Sequence, residues 1–149
     1  MNEVQASNHA TSPAATEEIH RVWINGRLLS AADAAVSPFD HGFLTGDGVF
    51  ETMKTYAGEP FEFERHYRRL TNAARTFGLT VPDSGTILDA IREVMLANGY
   101  ENADCRLRVT LTGGVAPLGS EKGKAEETLV VAAGSLPDHP ETGAVATVK

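Results

Sequence analysis

The 149-residue chain has one cysteine, Cys105, and one tryptophan. A single cysteine excludes an intrachain disulfide and fits a reducing, cytoplasmic setting. Free cysteines are commonly small buried residues, and Cys105 falls in a predicted strand. No apolar run approaches the ~20 residues needed to span a bilayer, so a membrane partner is not expected. Positive charge is scarce: 13 Lys and Arg stand against 20 Asp and Glu, a net charge of -7. That balance argues against a nucleic-acid partner, which needs concentrated cations. His9, His20, His41, His66 and His139 are scattered, so no metal site is expected. There is no nucleophile-elbow motif. Gly46-Asp47-Gly48 lacks the spacing and the following Lys-Ser/Thr of a Walker loop.

What is present is an ordinary globular composition, 42% hydrophobic and 22% charged, with length for one domain and a core. Met1 to Glu18 is polar, without a signal-type hydrophobic stretch. Its Ser7, Asn8, Thr11, Ser12 and Pro13 predict a disordered tail over 1–18. Val22-Trp23-Ile24 reads as a strand, Asn25-Gly26 as a type I′ hairpin turn and Arg27-Leu28-Leu29 as the returning strand. Ser30 to Asp47 is a long connection, a kind of loop that is often functional. Val49 to Tyr56 alternates as a strand, with Phe61-Glu62-Phe63 expected to pair back after a turn at 57–60.

Glu64 to Phe77 reads as a helix with Leu70, Ala73, Ala74 and Phe77 on its apolar side. Asp83 or Ser84 caps a second helix, whose stripe is Ile87, Ile91, Val94 and Met95. Arg106 to Thr112 alternates, with Leu107, Val109 and Leu111 facing one way and Arg106, Arg108, Thr110 and Thr112 the other. Gly113 to Glu126 reads as a flexible polar loop, and Leu129 to Ala132 as a further strand. Two helices between antiparallel strand pairs predict an α+β layered domain over 19–136, its sheet covered on one face. Residues 137–149 read as a linker followed by an alternating run, Ala144 to Lys149.

Arg65 and Arg69 share a helix face, and a guanidinium fork suits phosphate oxygens. Spacing alone better describes a solvated face. Arg106 and Arg108 could anchor a substrate carboxylate or pair with surface acids.

The segment Phe39-Asp40-His41-Gly42-Phe43-Leu44-Thr45-Gly46-Asp47-Gly48-Val49-Phe50-Glu51-Thr52, followed by His66-Tyr67-Arg68-Arg69-Leu70, resembles the small domain of the class IV aminotransferases. These are pyridoxal-phosphate enzymes of fold type IV, including branched-chain and D-amino-acid aminotransferases and aminodeoxychorismate lyase. The resemblance runs over nearly all of 20–149 and implies pyridoxal 5′-phosphate as cofactor, with Arg69 of the His-x-x-Arg-Leu motif on its phosphate. It implies that Phe50 walls the substrate pocket and that Thr45 stands where several relatives place a substrate-facing aromatic. It favours a carboxylate role for Arg106 or Arg108. Thr112-Gly113-Gly114 stands where D-amino-acid aminotransferases typically read Thr-Arg-Gly, so Gly113 argues against that specificity.

The cofactor needs a lysine amine for its Schiff base. Lys54, Lys122, Lys124 and Lys149 do not match the family's lysine motif. That lysine is expected beyond Lys149, with 137–149 entering a large domain of which this chain holds only the start. The chain by itself is therefore expected to be inactive and to bind the cofactor poorly. Thr112-Gly113-Gly114 and Pro117-Leu118-Gly119-Ser120 look like the lyase branch, which converts 4-amino-4-deoxychorismate to 4-aminobenzoate and pyruvate for folate synthesis. An aminotransferase of branched-chain or related amino acids is the alternative, and a non-catalytic self-associating domain the third. Family members are dimers, which implies a homodimer here.

Overall fold

The computed structural model describes residues 21–119 and 125–137. The expected tail over 1–18, Lys122, Lys124 and the run 144–149 lie outside the described residues. Six strands form one sheet in the order β2-β1-β6-β5-β3-β4, with every neighbouring pair antiparallel. The strands are β1 (Arg21–Ile24), β2 (Arg27–Ser30), β3 (Gly48–Tyr56), β4 (Glu59–Pro60), β5 (Arg106–Thr112) and β6 (Thr128–Gly134). The helices are α1 (His41–Leu44), α2 (Phe63–Thr76) and α3 (Ser84–Ala97).

The α+β expectation holds, and local chemistry explains the elements. At the first hairpin Asn25 and Gly26 both take positive φ, 43° and 82°, as a type I′ turn requires. Asp83 caps α3 by accepting from the amide of Thr86 at 3.0 Å. The α3 stripe Ile87, Ala90, Ile91, Val94 and Met95 is buried against the sheet. From the sheet, Trp23, Met53, Leu107, Val109, Leu111, Leu129, Val131 and Ala133 meet it. Burial of each such side chain is worth about 1.5–3 kcal/mol. α2 packs on β3, and α3 on β1 and β6.

Three local expectations are corrected. Of Phe61-Glu62-Phe63 only Phe61 pairs back, its amide donating to Lys54 O at 2.9 Å; β4 ends at Pro60 because Glu62 turns left-handed (φ 54°) and Phe63 starts α2. Phe63 is the better anchor there, stacking on Tyr67 with ring centroids 6.1 Å apart and joining the core. Ala73 and Phe77 stay exposed. The 3.6-residue period starting at Phe63 runs through Tyr67, Leu70 and Ala74 instead.

The third correction concerns the loop after β5, whose first residues are not a free polar segment. Gly113, Gly114 and Ala116 are buried. Backbone bonds tie them to the connection before β3: Gly113 N to Asp47 O at 2.8 Å, His41 N to Gly114 O at 2.9 Å, and Ala116 N to Phe39 O at 3.3 Å. The helices thus cover one sheet face. Part of the other stays open, with Phe50 and Tyr56 more than half exposed.

Candidate active site

The connection 39–47 folds over one end of the open sheet face. Asp40 opens α1 as its cap and is fully buried. One of its oxygens accepts from the amide of Gly42 at 2.8 Å. The other accepts from Thr112 Oγ1 at 2.9 Å and Thr128 Oγ1 at 2.7 Å. This carboxylate therefore joins the loop to both β5 and β6. Gly42 rests directly on the Thr112 side chain, leaving no room for a Cβ. The His41 ring is also fully buried, with Nε2 3.0 Å from the carbonyl of Pro117.

Thr45 ends α1, with its hydroxyl donating to His41 O at 2.8 Å and 3.1 Å from Asp47 Oδ2. The turn Gly46-Asp47 then leads directly into β3.

Alternation along β3 separates the other candidates. Phe50 and Thr52 stand on the open face, where Thr52 pairs in register with Arg108 and Lys54 with Arg106. The Arg108 guanidinium lies over the Phe50 ring, 3.5 Å from its centroid, and donates to Thr52 Oγ1 at 3.2 Å. Stacking at an exposed site is worth about 0.5–1 kcal/mol, and here it holds a planar cation flat beside an apolar wall. Arg106 faces Lys54 across the strands, and Lys54 pairs with Asp104 at 3.2 Å.

Glu51 points the other way, toward the helices. It is 7% exposed. His66 Nδ1 lies 2.7 Å from its Oε2, and Arg69 Nε lies 3.2 Å from its Oε1. The Arg69 side chain is 66% exposed. Arg69 and Arg108 therefore sit on opposite faces of β3, connected through the adjacent residues Phe50 and Glu51. Among the described residues, the outer edge of β3 from Gly48 to Met53 has no strand partner.

Sequence reasoning singled out Thr45, Phe50, Arg69, Arg106 and Arg108 but assigned no role to Asp40 or Glu51. Both had a signal. Glu51 is an acid in the inward series Val49, Glu51, Met53, Thr55, where the alternation calls for an apolar residue. Asp40 is a capping residue placed before a short turn. Cys105 is the buried packing residue expected. Burial is the main cause raising its thiol above the ordinary value, against a hydrogen bond from Thr55.

The amino-transferase class IV family profile matches residues 48–149. The chain belongs to that family. It is 35% identical over 108 residues to the aminodeoxychorismate lyase of Bacillus subtilis, covering 72% of this chain and 36% of the lyase. It is 32% identical over 101 residues to a D-alanine aminotransferase of Staphylococcus haemolyticus, covering 65% and 34%. Among solved structures, the branched-chain aminotransferase of the archaeon Thermoproteus uzoniensis, solved with norvaline, superposes with a TM-score of 0.70 at 26% identity. That match covers 80% of this chain and 41% of the other. The chain thus spans about a third of the length of these curated relatives.

The described residues fit the phosphate end of the cofactor that family members use. Arg69 pairs with Glu51 through Nε at 3.2 Å while its side chain stays 66% exposed, and a guanidinium fork matches two phosphate oxygens. The only described lysine, Lys54, is engaged with Asp104 and lies 4.2 Å over the Tyr56 ring.

Proposed function

We propose that this chain contributes the phosphate anchor and one wall of the substrate pocket to a pyridoxal-phosphate lyase. The reaction proposed is the conversion of 4-amino-4-deoxychorismate to 4-aminobenzoate and pyruvate. The observation that carries the cofactor reading is the Arg69 side chain, paired with Glu51 at Nε and 66% exposed. The lyase reading rests on likeness to a relative with that activity and on Gly113 in place of the arginine of D-specific relatives.

Each residue has a physical task in this reading. Arg69 binds the cofactor phosphate, and the bound cofactor supplies an electron sink for the bond to be broken. Arg108, already flat against Phe50 and bonded to Thr52, takes a substrate carboxylate with little reorganisation. Phe50 packs against the substrate's carbon skeleton. The buried Asp40 holds the 39–47 loop, and so the approach to β3, in one geometry. Function as a homodimer, in a cytoplasmic setting, belongs to the same proposal.

The test uses the protein translated from the complete reading frame, given aminodeoxychorismate or an amino acid with 2-oxoglutarate. Release of 4-aminobenzoate without glutamate is the expected result. Glutamate formation from branched-chain amino acids without 4-aminobenzoate would establish the alternative aminotransferase, which the structural likeness to a branched-chain enzyme favours. Neither product, with no cofactor absorbance band, would leave a non-catalytic domain.

A further inference from the structure

Glu51 presents a cost that the fold does not require. A buried carboxylate is expensive unless it is paired and hydrogen-bonded, and an apolar residue would fill the same inward position of β3. The acid is 7% exposed and divides its oxygens: Oε2 serves His66 and Oε1 serves Arg69. The contact to Arg69 is through Nε, the donor nearest the stem. A guanidinium carries four further N–H donors, and the Arg69 side chain is 66% exposed.

We infer that Glu51 is a positioning residue for Arg69, orienting its fork outward from the β3 edge to receive a phosphate monoester dianion. This deepens the cofactor reading above and rests on it. A long arginine on an exposed helix face samples many rotamers. The ion pair at Nε narrows them before the anion arrives, so less entropy is lost on binding. The Glu51 charge also offsets that of Arg69 while no anion is bound. His66 occupies the second oxygen and holds the carboxylate in one rotamer. No ion pair to Arg65 or Arg68 occurs among the described residues, so they serve as controls on the same helix.

The test is nitrogen-detected NMR on the protein translated from the complete reading frame and freed of cofactor. Pyridoxine 5′-phosphate and pyridoxine serve as probes because neither carries the reactive aldehyde. In the wild type, the Arg69 Nε–H is expected to be more ordered than those of Arg65 and Arg68. Glu51→Gln keeps an acceptor but removes its charge, so it should loosen the Arg69 Nε–H and weaken pyridoxine 5′-phosphate about three- to tenfold, within the cost of immobilising one flexible side chain. Pyridoxine affinity should not change. Arg69→Lys keeps the charge but removes Nε. It should lose the phosphate preference to a similar degree, and adding Glu51→Gln should then cost nothing further.

An Arg69 Nε as mobile as that of Arg65 overturns the inference. So does an unchanged phosphate preference in Glu51→Gln while Arg69→Lys weakens it, in which case the anchor reading survives. Should Glu51→Gln lose the native amide spectrum, wild-type affinity in Arg69→Lys overturns the inference by itself. If the wild type treats the two probes alike, the anchor reading fails and the inference falls with it.

Discussion

Removing the Asp40 carboxylate should loosen the loop that frames the site. The side chain is fully buried. It receives the Gly42 amide at 2.8 Å and the Thr112 and Thr128 hydroxyls at 2.9 and 2.7 Å. Asp40→Ala leaves one amide and two hydroxyls without their acceptor. An unsatisfied buried donor costs about 1–3 kcal/mol. The hydroxyls can turn elsewhere and the carboxylate's own desolvation cost is recovered, so a net loss of about 3–4 kcal/mol is expected. That is a large share of the ~5–15 kcal/mol typical of a domain.

Asp40→Asn should behave differently. Its amide oxygen can keep the Gly42 bond, and its two N–H groups can each meet a threonine oxygen, since hydroxyls also accept. Only charge assistance is lost, about 1 kcal/mol. Urea unfolding monitored by Trp23 fluorescence measures both. Trp23 is buried and its indole N–H bonds Glu93 Oε2 at 3.1 Å. Hydrogen exchange at Gly113, whose amide bonds Asp47 O, should quicken in Asp40→Ala. Equal loss in the two variants, or a loss below about 1 kcal/mol for Asp40→Ala, would refute the reasoning.

Three further outcomes are expected. Ile91→Ala empties a fully buried position on α3 and should cost about 2–4 kcal/mol in urea unfolding; a smaller loss would mean that the core collapses around it. Gly114→Ala meets both a positive φ of 73° and the Glu126 carbonyl oxygen. It should cost about 2 kcal/mol or more, and a neutral result would mean that this turn relaxes freely. The third outcome concerns acid. The Thr86 hydroxyl is the main cause lowering Asp83 below its ordinary 3.8, and the Ala57 amide, then Lys54, lowers Asp104. A carboxyl depressed in the folded state adds stability above its unfolded value and loses it as pH falls through the folded one. Stability should therefore decline only below about pH 4 on account of these groups. Asp83→Asn with Asp104→Asn should flatten that decline; an unchanged acid limb counts against it.

Legibility in the sequence followed the range of the interactions. Asn25-Gly26, a helix cap at Asp83 or Ser84 and the Ile87–Met95 stripe were read correctly because turn and helix signals act over a few residues. The pairing expected of Phe61 to Phe63 stopped after Phe61, whose amide bonds Lys54 O, because the drive to bury Phe63 overrode a weak strand pattern. The loop after β5 looked free because its polar composition hides three backbone bonds to the 39–47 connection. At the site, family motifs picked out Arg69 and Phe50. Glu51 carried a visible signal, an acid in an apolar series, whose meaning needed its partners.

The order of residues by itself determined the α+β class, most element positions and the family, since periodicity, capping and short motifs are local properties of the chain. Tertiary structure alone decided which polar groups meet. Asp40 finds hydroxyls 72 and 88 residues away, and Arg108 lies on Phe50 because β3 and β5 pair in one register. The physical reason is that strand register and helix docking are set by the packing of the whole core. A polar contact between distant residues exists only once that packing is complete.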